Sequence, residues 1–125
     1  MNIEQRIEEF TREGKNFIYY DLTEFKTNED EFKEFTKVAK ECITKYAEHS
    51  VFTITNIKDV KFDSETKHIV ADWMEHNKPY AKFGAVIGFD GIKKILVNAI
   101  FKLCGRKNMI FSSNKEQAIE FLLKQ

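Results

Sequence analysis

The sequence predicts one α/β domain over residues 1–125, with a mainly parallel sheet of four or five strands. Strand-like and helix-like segments alternate four times with short connections, as in sheets built from right-handed crossovers. The only proline and four of the five glycines fall between Pro79 and Gly105, where they separate a strand, a helix and the start of another strand. A composition that is 42% hydrophobic and 32% charged suits one continuous core.

The first half of the chain is predicted to begin with a strand followed by a helix. Residues 17–22 form an aromatic and branched run that is typical of a strand. Asn28 and Glu31 then form a capping box, which indicates the start of a helix. The apolar residues of this helix recur at helical spacing and should face the core: Phe32, Phe35, Ala39, Cys42, Ile43 and Tyr46.

The middle of the chain continues the alternation. Residues 51–57 alternate between a face bearing Thr53 and Thr55 and an apolar face, which predicts a strand with one less apolar side. A second helix is predicted at residues 64–77, and Pro79 forbids its continuation. Its apolar stripe consists of Ile69, Val70, Trp73 and Met74.

The third helix carries more apolar surface than one contact with a sheet requires. It follows a strand at residues 80–88, whose small Gly84 and Gly88 let another segment pack close, and it runs from near Asp90 to Gly105. The helix also contains the apolar residues Leu96 and Ile100. One apolar strip consists of Ile92, Ile95, Ala99 and Leu103, and a second of Val97, Phe101 and Cys104. The extra strip could pack on the neighbouring helix, pair two copies of the chain, or cover an apolar ligand cavity.

The two ends of the chain are patterned less clearly. A last strand is predicted at residues 107–112, and Asn114 with Gln117 begins a final helix. The inward residues of that helix are predicted to be Ala118, Phe121 and Leu122. At the N-terminus, residues 3–10 have helical spacing, whereas residues 13–15 could turn a hairpin into the first strand.

The charge and cysteine content favour a soluble cytoplasmic protein. Twenty basic residues balance twenty acidic ones, so charge implies neither nucleic acid nor an anionic membrane as a partner. No segment approaches the roughly 20 apolar residues of a membrane span, which argues against integral membrane association. Cys42 and Cys104 lie on apolar helix faces, where we expect buried thiols rather than a disulfide.

No constellation of reactive residues predicts an enzyme, a cofactor or a metal. His68, Asp72 and His76 share one helix face, but two histidines eight residues apart are about 12 Å apart along the axis, too far for one ion. We therefore expect a solvated face there. The glycines at residues 84–91 fail the spacing of a dinucleotide-binding turn.

Several sequence runs together resemble the small SpoIIAA-like, STAS-related bacterial proteins. These runs are IYYDL (18–22), TITNI (53–57), HNKPY (76–80), AVIG (85–88), GIKKI (91–95), GR (105–106) and EQAIEFL (116–122). The resemblance implies a beta-alpha superhelix with strands in sequential order and helices mainly on one face. Anti-sigma-factor antagonists and the lipid-binding lobe of CRAL-TRIO proteins share this fold. It implies no enzyme chemistry, and a fold alone does not give a function.

The resemblance also suggests a phosphorylation switch. STAS regulators carry a phosphorylatable serine in an Asp-Ser-Ser motif, and Asp63 and Ser64 stand in about that place, with Glu65 replacing the second serine. A helix N-terminus would favour a phosphate, whereas the flanking acidic residues would repel it. The simpler interpretation is that Asp63 or Ser64 caps the helix. The candidate switch or interaction residues are Asn56, Asp59, Asp63 and Ser64.

A ligand pocket is a second candidate site. Open α/β sheets bind ligands at the carboxyl ends of their strands, although polar residues there also cap helices and form turns. The candidate pocket residues are Asp21, Phe89, Asp90, Phe101 and Ser112. Around the third helix, a basic rim is expected to be solvated, although it could touch anionic headgroups or a protein partner: Lys93, Lys94, Lys102, Arg106 and Lys107.

Two functions remain as hypotheses. The leading one is a non-enzymatic regulatory or protein-interaction module that acts through residues 56–64 on an unknown protein partner. The alternative is a small-molecule or lipid-binding protein that holds an apolar ligand in a cavity under the third helix.

Overall fold

Five strands form one mixed sheet in the order β1-β2-β3-β4-β5, which is also their order along the chain. The computed structural model describes residues 1–25 and 29–125, apart from the side chains of Glu29, Ser64 and Glu65. The strands are β1 (Ile7–Arg12), β2 (Lys15–Asp21), β3 (Val51–Asn56), β4 (Ala81–Ile87) and β5 (Met109–Phe111). The helices are α1 (Glu29–Ile43), α2 (Ser64–Asn77), α3 (Gly91–Cys104) and α4 (Lys115–Leu123). The predicted α/β class and mainly parallel sheet are confirmed.

The N-terminus forms a hairpin, so the second of the two interpretations is correct. β1 pairs antiparallel with β2, and a two-residue turn at Glu13 and Gly14 joins them. Both residues have a positive φ, 53° and 74°, which is the backbone of a tight hairpin turn. The helical spacing of residues 3–10 therefore does not produce an α-helix, and only Glu4–Arg6 forms a short 3-10 turn. The remaining strand pairs are parallel.

Capping residues account for the helix boundaries. Asp63, Asp90 and Asn114 each accept a hydrogen bond from the backbone N–H three residues later, at 2.8–2.9 Å. Gly105 ends α3 with φ 71°, as predicted. The predicted cap at Asn28 lies outside the described residues.

Helices cover both faces of the sheet, three on one face and one on the other. The first face packs against α1, α2 and α3 through residues such as Phe35, Trp73 and Phe101. The second face is covered by α4. β3 shows the division clearly, because Phe52 and Ile54 face α4 whereas Thr53 and Thr55 lie on the side of the three helices. The predicted less apolar side of this strand therefore lies beneath α2 and α3.

The structure corrects the predicted orientation of α3. The second apolar strip is the buried one, with Val97, Phe101 and Cys104 all facing inward beside Ile100. Phe101 lies 5.8 Å from the ring of Phe111, centroid to centroid. Most of the first strip faces outward: Ile92, Ile95 and Leu103 are 82%, 74% and 68% exposed. The sequence could not separate the two strips because both are continuous along the helix.

A smaller correction applies to α4. Its buried residues are Ala118, Ile119 and Leu122, whereas the predicted inward residue Phe121 is 37% exposed. Phe121 instead packs edge-on against Phe83 of β4, with 5.6 Å between the ring centroids.

Among the described residues, no helix combines the length and apolarity that a membrane crossing requires.

Glu9 connects the hairpin to the segment that follows α1. The Tyr46 hydroxyl donates to one Glu9 carboxylate oxygen at 2.6 Å, and the Lys45 ammonium pairs with the other at 3.0 Å. The Tyr46 hydrogen bond lowers the pKa of Glu9 most, and Lys45 and Cys42 act in the same direction against the effect of burial. The ionised form of Glu9 is therefore the one that stabilises this contact.

We predict that the stabilising effect of Tyr46 depends on pH. A depressed Glu9 pKa contributes stability above the ordinary value of 4.5, and this is lost as the pH falls through the folded-state pKa. Tyr46→Phe should therefore lower the free energy of unfolding at pH 7, and the difference from wild type should shrink at pH 3. Urea unfolding of both proteins at the two pH values measures this. An equal difference in the free energy of unfolding at both pH values would contradict this prediction.

We predict that Gly84 is required for β5 to pack on β4. A Cβ at this position would lie 2.5 Å from the Met109 sulfur and 2.7 Å from the Thr53 hydroxyl. Gly84→Ala should therefore lower the free energy of unfolding by about 1–3 kcal/mol, as overpacked cores do. Gly91→Ala is the matched control, because a Cβ there meets nothing within 4 Å. If both variants change the free energy of unfolding by the same amount in denaturant, the close approach at Gly84 does not affect stability.

Candidate functional site

An apolar cavity of about 50 Å³ lies between the sheet and the two helices α2 and α3. Its floor comes from β2, β3 and β4, its walls from α2, α3 and the segment between β3 and α2, and its end from Arg106 and the first residue of β5. The lining residues are mostly apolar, with a few polar groups among them. They are Tyr20, Leu22, Thr53, Thr55, Ile57, Phe62, Val70, Trp73, Met74, Asn77, Val86, Val97, Phe101, Arg106 and Met109.

The strand register explains why space remains at this point. Tyr20 pairs with Thr55 across β2 and β3, and Thr55 pairs with Val86 across β3 and β4. These three side chains form one row on the floor, in which two short β-branched residues follow the large Tyr20 ring. Close by, Thr53 pairs with Gly84, which has no side chain to contribute. Short side chains on the floor thus leave a gap beneath α2 and α3.

Arg106 is a buried cation in the wall of the cavity. It is 7% exposed, which corrects its predicted place in a solvated basic rim. Its guanidinium donates to the Met74 carbonyl at 3.2 Å, to the Asn108 amide oxygen at 3.4 Å and to the Met109 sulfur at 3.0 Å. Each of these acceptors is neutral. Burial lowers the pKa of Arg106, and no carboxylate pairs with it among the side chains that the structure describes.

Two further polar groups of the cavity lining are buried without a partner. The Tyr20 hydroxyl and the Trp73 indole N–H make no hydrogen bond within the described part of the chain. Their rings meet edge-to-face at 4.8 Å. Burial raises the pKa of Tyr20, and Cys42 and Tyr46 raise it further, whereas Arg106 and a long contact with the Asn77 side chain, outside hydrogen-bond geometry, oppose the rise. The Tyr20 hydroxyl therefore stays protonated and available as a donor.

The predicted pocket residues do not gather in one place. Phe101 lines the cavity, but the other four lie outside its lining. Asp21 accepts from the Thr23 backbone at 2.9 Å, and Asp90 caps α3. The Phe89 ring packs on Phe111 at 5.0 Å, and the Ser112 N–H donates to the Val86 carbonyl at 3.0 Å. The polar residues at the carboxyl edge of the sheet thus form caps and turns.

The segment from Asn56 to Ser64 is organised by local hydrogen bonds. The Asn56 amide donates to the Tyr19 hydroxyl at 3.0 Å, and its oxygen accepts from the Lys58 N–H at 3.1 Å. Asp59 has a positive φ of 59°, and Asp63 caps α2. Ser64 is the first residue of α2, but its side chain lies outside the described atoms, so the phosphorylation switch stays a prediction.

Side chains on the histidine-bearing face of α2 make contacts with neighbouring residues. Asp72 pairs with Lys40 of α1, and the His76 ring contacts the Asn77 amide oxygen at 3.2 Å and stacks on Tyr80. Within residues 1–25 and 29–125, no group of three or more histidine, cysteine, aspartate or glutamate side chains could hold a metal ion. Both cysteines are free, and burial raises the pKa of Cys42 to about 11.

The basic rim around α3 is only partly solvated. The Lys93 ammonium donates to the Ile57 carbonyl at 3.3 Å, and Lys94 lies over the rings of Phe89 and Phe111. Lys102 and Lys107 are exposed. The sequence signal that separates Arg106 from these lysines is weak, since the residue lies directly between Gly105 and Lys107.

A scan against protein-family models finds no match for this chain, and a search of curated proteins finds none either. The resemblance to SpoIIAA-like proteins therefore stays a prediction.

We predict that the Tyr20 hydroxyl costs stability in the free protein. A buried donor without an acceptor is destabilising by about 1–3 kcal/mol, so Tyr20→Phe should leave the free energy of unfolding unchanged or raise it by up to that amount. Tyr46→Phe is the control, because its hydroxyl does have a partner, and it should be destabilising at neutral pH. If urea unfolding shows both variants weakened alike, Tyr20 has an acceptor in solution.

Proposed function

We propose that this chain is a binding protein for a small, largely apolar molecule, held in the cavity beneath α2 and α3. The observation that carries the proposal is a gap in an otherwise close-packed core, lined by apolar side chains and a few buried polar groups. Protein interiors rarely keep a void much larger than a water molecule. Ligand sites, in contrast, combine an apolar lining with a small number of polar groups that orient the ligand.

The cavity as it stands suits only a small guest. An engineered cavity of about 150 Å³ is enough for benzene, and this one measures about 50 Å³. A larger ligand would need α3 to move outward. The inner strip of α3 opposes that movement through the burial of Val97, Ile100, Phe101 and Cys104.

The competing hypothesis is a regulatory or interaction module that acts through residues 56–64. The contacts at Asn56, Asp59 and Asp63 are those of a turn and a helix cap, and caps of this kind occur without any partner. They therefore favour neither reading of that segment. A mostly apolar void larger than one water molecule is less common in protein cores than a turn or a helix cap, and for this reason the binding function comes first.

Normal alcohols of increasing length provide a direct test. Trp73 is the only tryptophan of the chain and lines the cavity, so its fluorescence reports occupancy. Each buried CH₂ is worth about 0.8 kcal/mol, or about fourfold in affinity. From ethanol to 1-octanol, we predict that affinity rises about fourfold per carbon and levels off when the cavity is full. A series without measurable binding would sink the proposal.

Phe101→Leu should change the alcohol length at which affinity levels off. The shorter side chain enlarges the cavity, so the plateau should move to longer alcohols than in the wild type. Phe52→Leu is the matched control, because Phe52 is also buried but belongs to the opposite face of the sheet. If both variants shift the plateau by the same amount, the response comes from a general loosening of the core.

A further inference from the structure

Arg106 indicates the chemistry of the ligand that the cavity would take. A guanidinium presents five N–H donors, and here they meet one carbonyl, one amide oxygen and a sulfur, which is a weak acceptor. Buried charges in proteins are normally paired, because leaving one in apolar surroundings is costly. The described residues supply no anion for this cation.

The C-terminal end of α2 compensates this charge only in part. Met74 lies in the last turn of α2, where carbonyl groups lack partners within the helix. The dipole of a helix places about half a negative charge at this end. Arg106 uses that carbonyl, and a substantial part of its positive charge still remains without a counter-charge.

The other unpartnered donors belong to the same cavity. Tyr20 and Trp73 line it together with Arg106, and the described residues offer no acceptor to the Tyr20 hydroxyl or the Trp73 N–H. The polar part of the lining is thus rich in donors and lacks an acceptor that carries negative charge.

We propose that the ligand is an amphipathic monocarboxylate whose carboxylate pairs with Arg106 and whose apolar tail lies in the cavity. This inference rests on the proposed binding function and adds the class of ligand to it. A carboxylate is planar and matches the fork of a guanidinium, and its remaining lone pairs can accept from Tyr20 and Trp73. A phosphate dianion fits less well, because one cation would leave part of its charge unpaired in an apolar site.

The test compares carboxylates with alcohols of equal carbon number at constant ionic strength and pH 7. Trp73 fluorescence follows titrations with acetate, butyrate and hexanoate, and with ethanol, 1-butanol and 1-hexanol. Because hydrogen bonds to charged groups are strong, we expect hexanoate to bind at least about tenfold more tightly than 1-hexanol. Arg106→Met should remove this advantage and leave the binding of 1-hexanol in place.

Lys107→Met is the matched control for charge. Lys107 is the exposed neighbour of Arg106 and does not line the cavity, so its loss should leave the preference for carboxylates unchanged. If the preference survives in Arg106→Met and falls in Lys107→Met, long-range attraction explains it and the inference is wrong. Circular dichroism checks that each variant folds. If Arg106→Met does not fold, Tyr20→Phe takes its place. This variant should lower the affinity for hexanoate several-fold and leave the affinity for 1-hexanol unchanged.

The outcomes separate this inference from the function on which it rests. Equal affinities of the wild type for hexanoate and 1-hexanol would contradict the proposed carboxylate ligand and leave a binding site for apolar molecules. Acetate that binds as tightly as hexanoate, while affinity in the alcohol series still rises from ethanol to 1-hexanol, would overturn a carboxylate tail in the cavity and leave an anion site at Arg106. Without binding by either series, both proposals fall.

Discussion

The Arg106 guanidinium connects the elements that enclose the cavity. It donates to the last turn of α2, follows directly on the left-handed Gly105 that ends α3, and reaches the Met109 sulfur at the start of β5. A buried cation keeps such a position only while acceptors surround it, because unmet donors in apolar surroundings are costly. Arg106 therefore contributes to the relative placement of α2, α3 and β5, alongside the apolar packing of these elements.

The two faces of the sheet differ in how completely they are filled. Phe17 and Phe52 occupy the face under α4, with their rings 5.3 Å apart, and large side chains meet there directly. On the other face, Thr53 and Thr55 occupy the centre of the sheet and are too short to reach α2 and α3. The same strand thus provides a closed core on one side and space on the other, through simple alternation of side chains.

How far the sequence predicts this molecule depends on whether a feature is local. Helix boundaries were predictable because Asp90, Asn114 and Gly105 act on backbone groups within a few residues. The buried face of α3 was not, since two apolar strips compete and the approach of α2 decides between them. The burial of Arg106 was missed for a related reason: its neighbours in sequence are polar, whereas its acceptors include a carbonyl 32 residues away.

The sequential strand order makes the short β5 an edge strand that adjoins the cavity through Met109. β5 joins β4 through three register pairs, whereas β2 and β3 share six. Short, poorly buttressed edges are the parts of a protein that open first by local unfolding. Met109 belongs both to this edge strand and to the cavity wall, so detachment of the strand would also open the cavity to solvent. The rate of guest exchange would then follow the fluctuation of an edge strand rather than diffusion along a permanent channel.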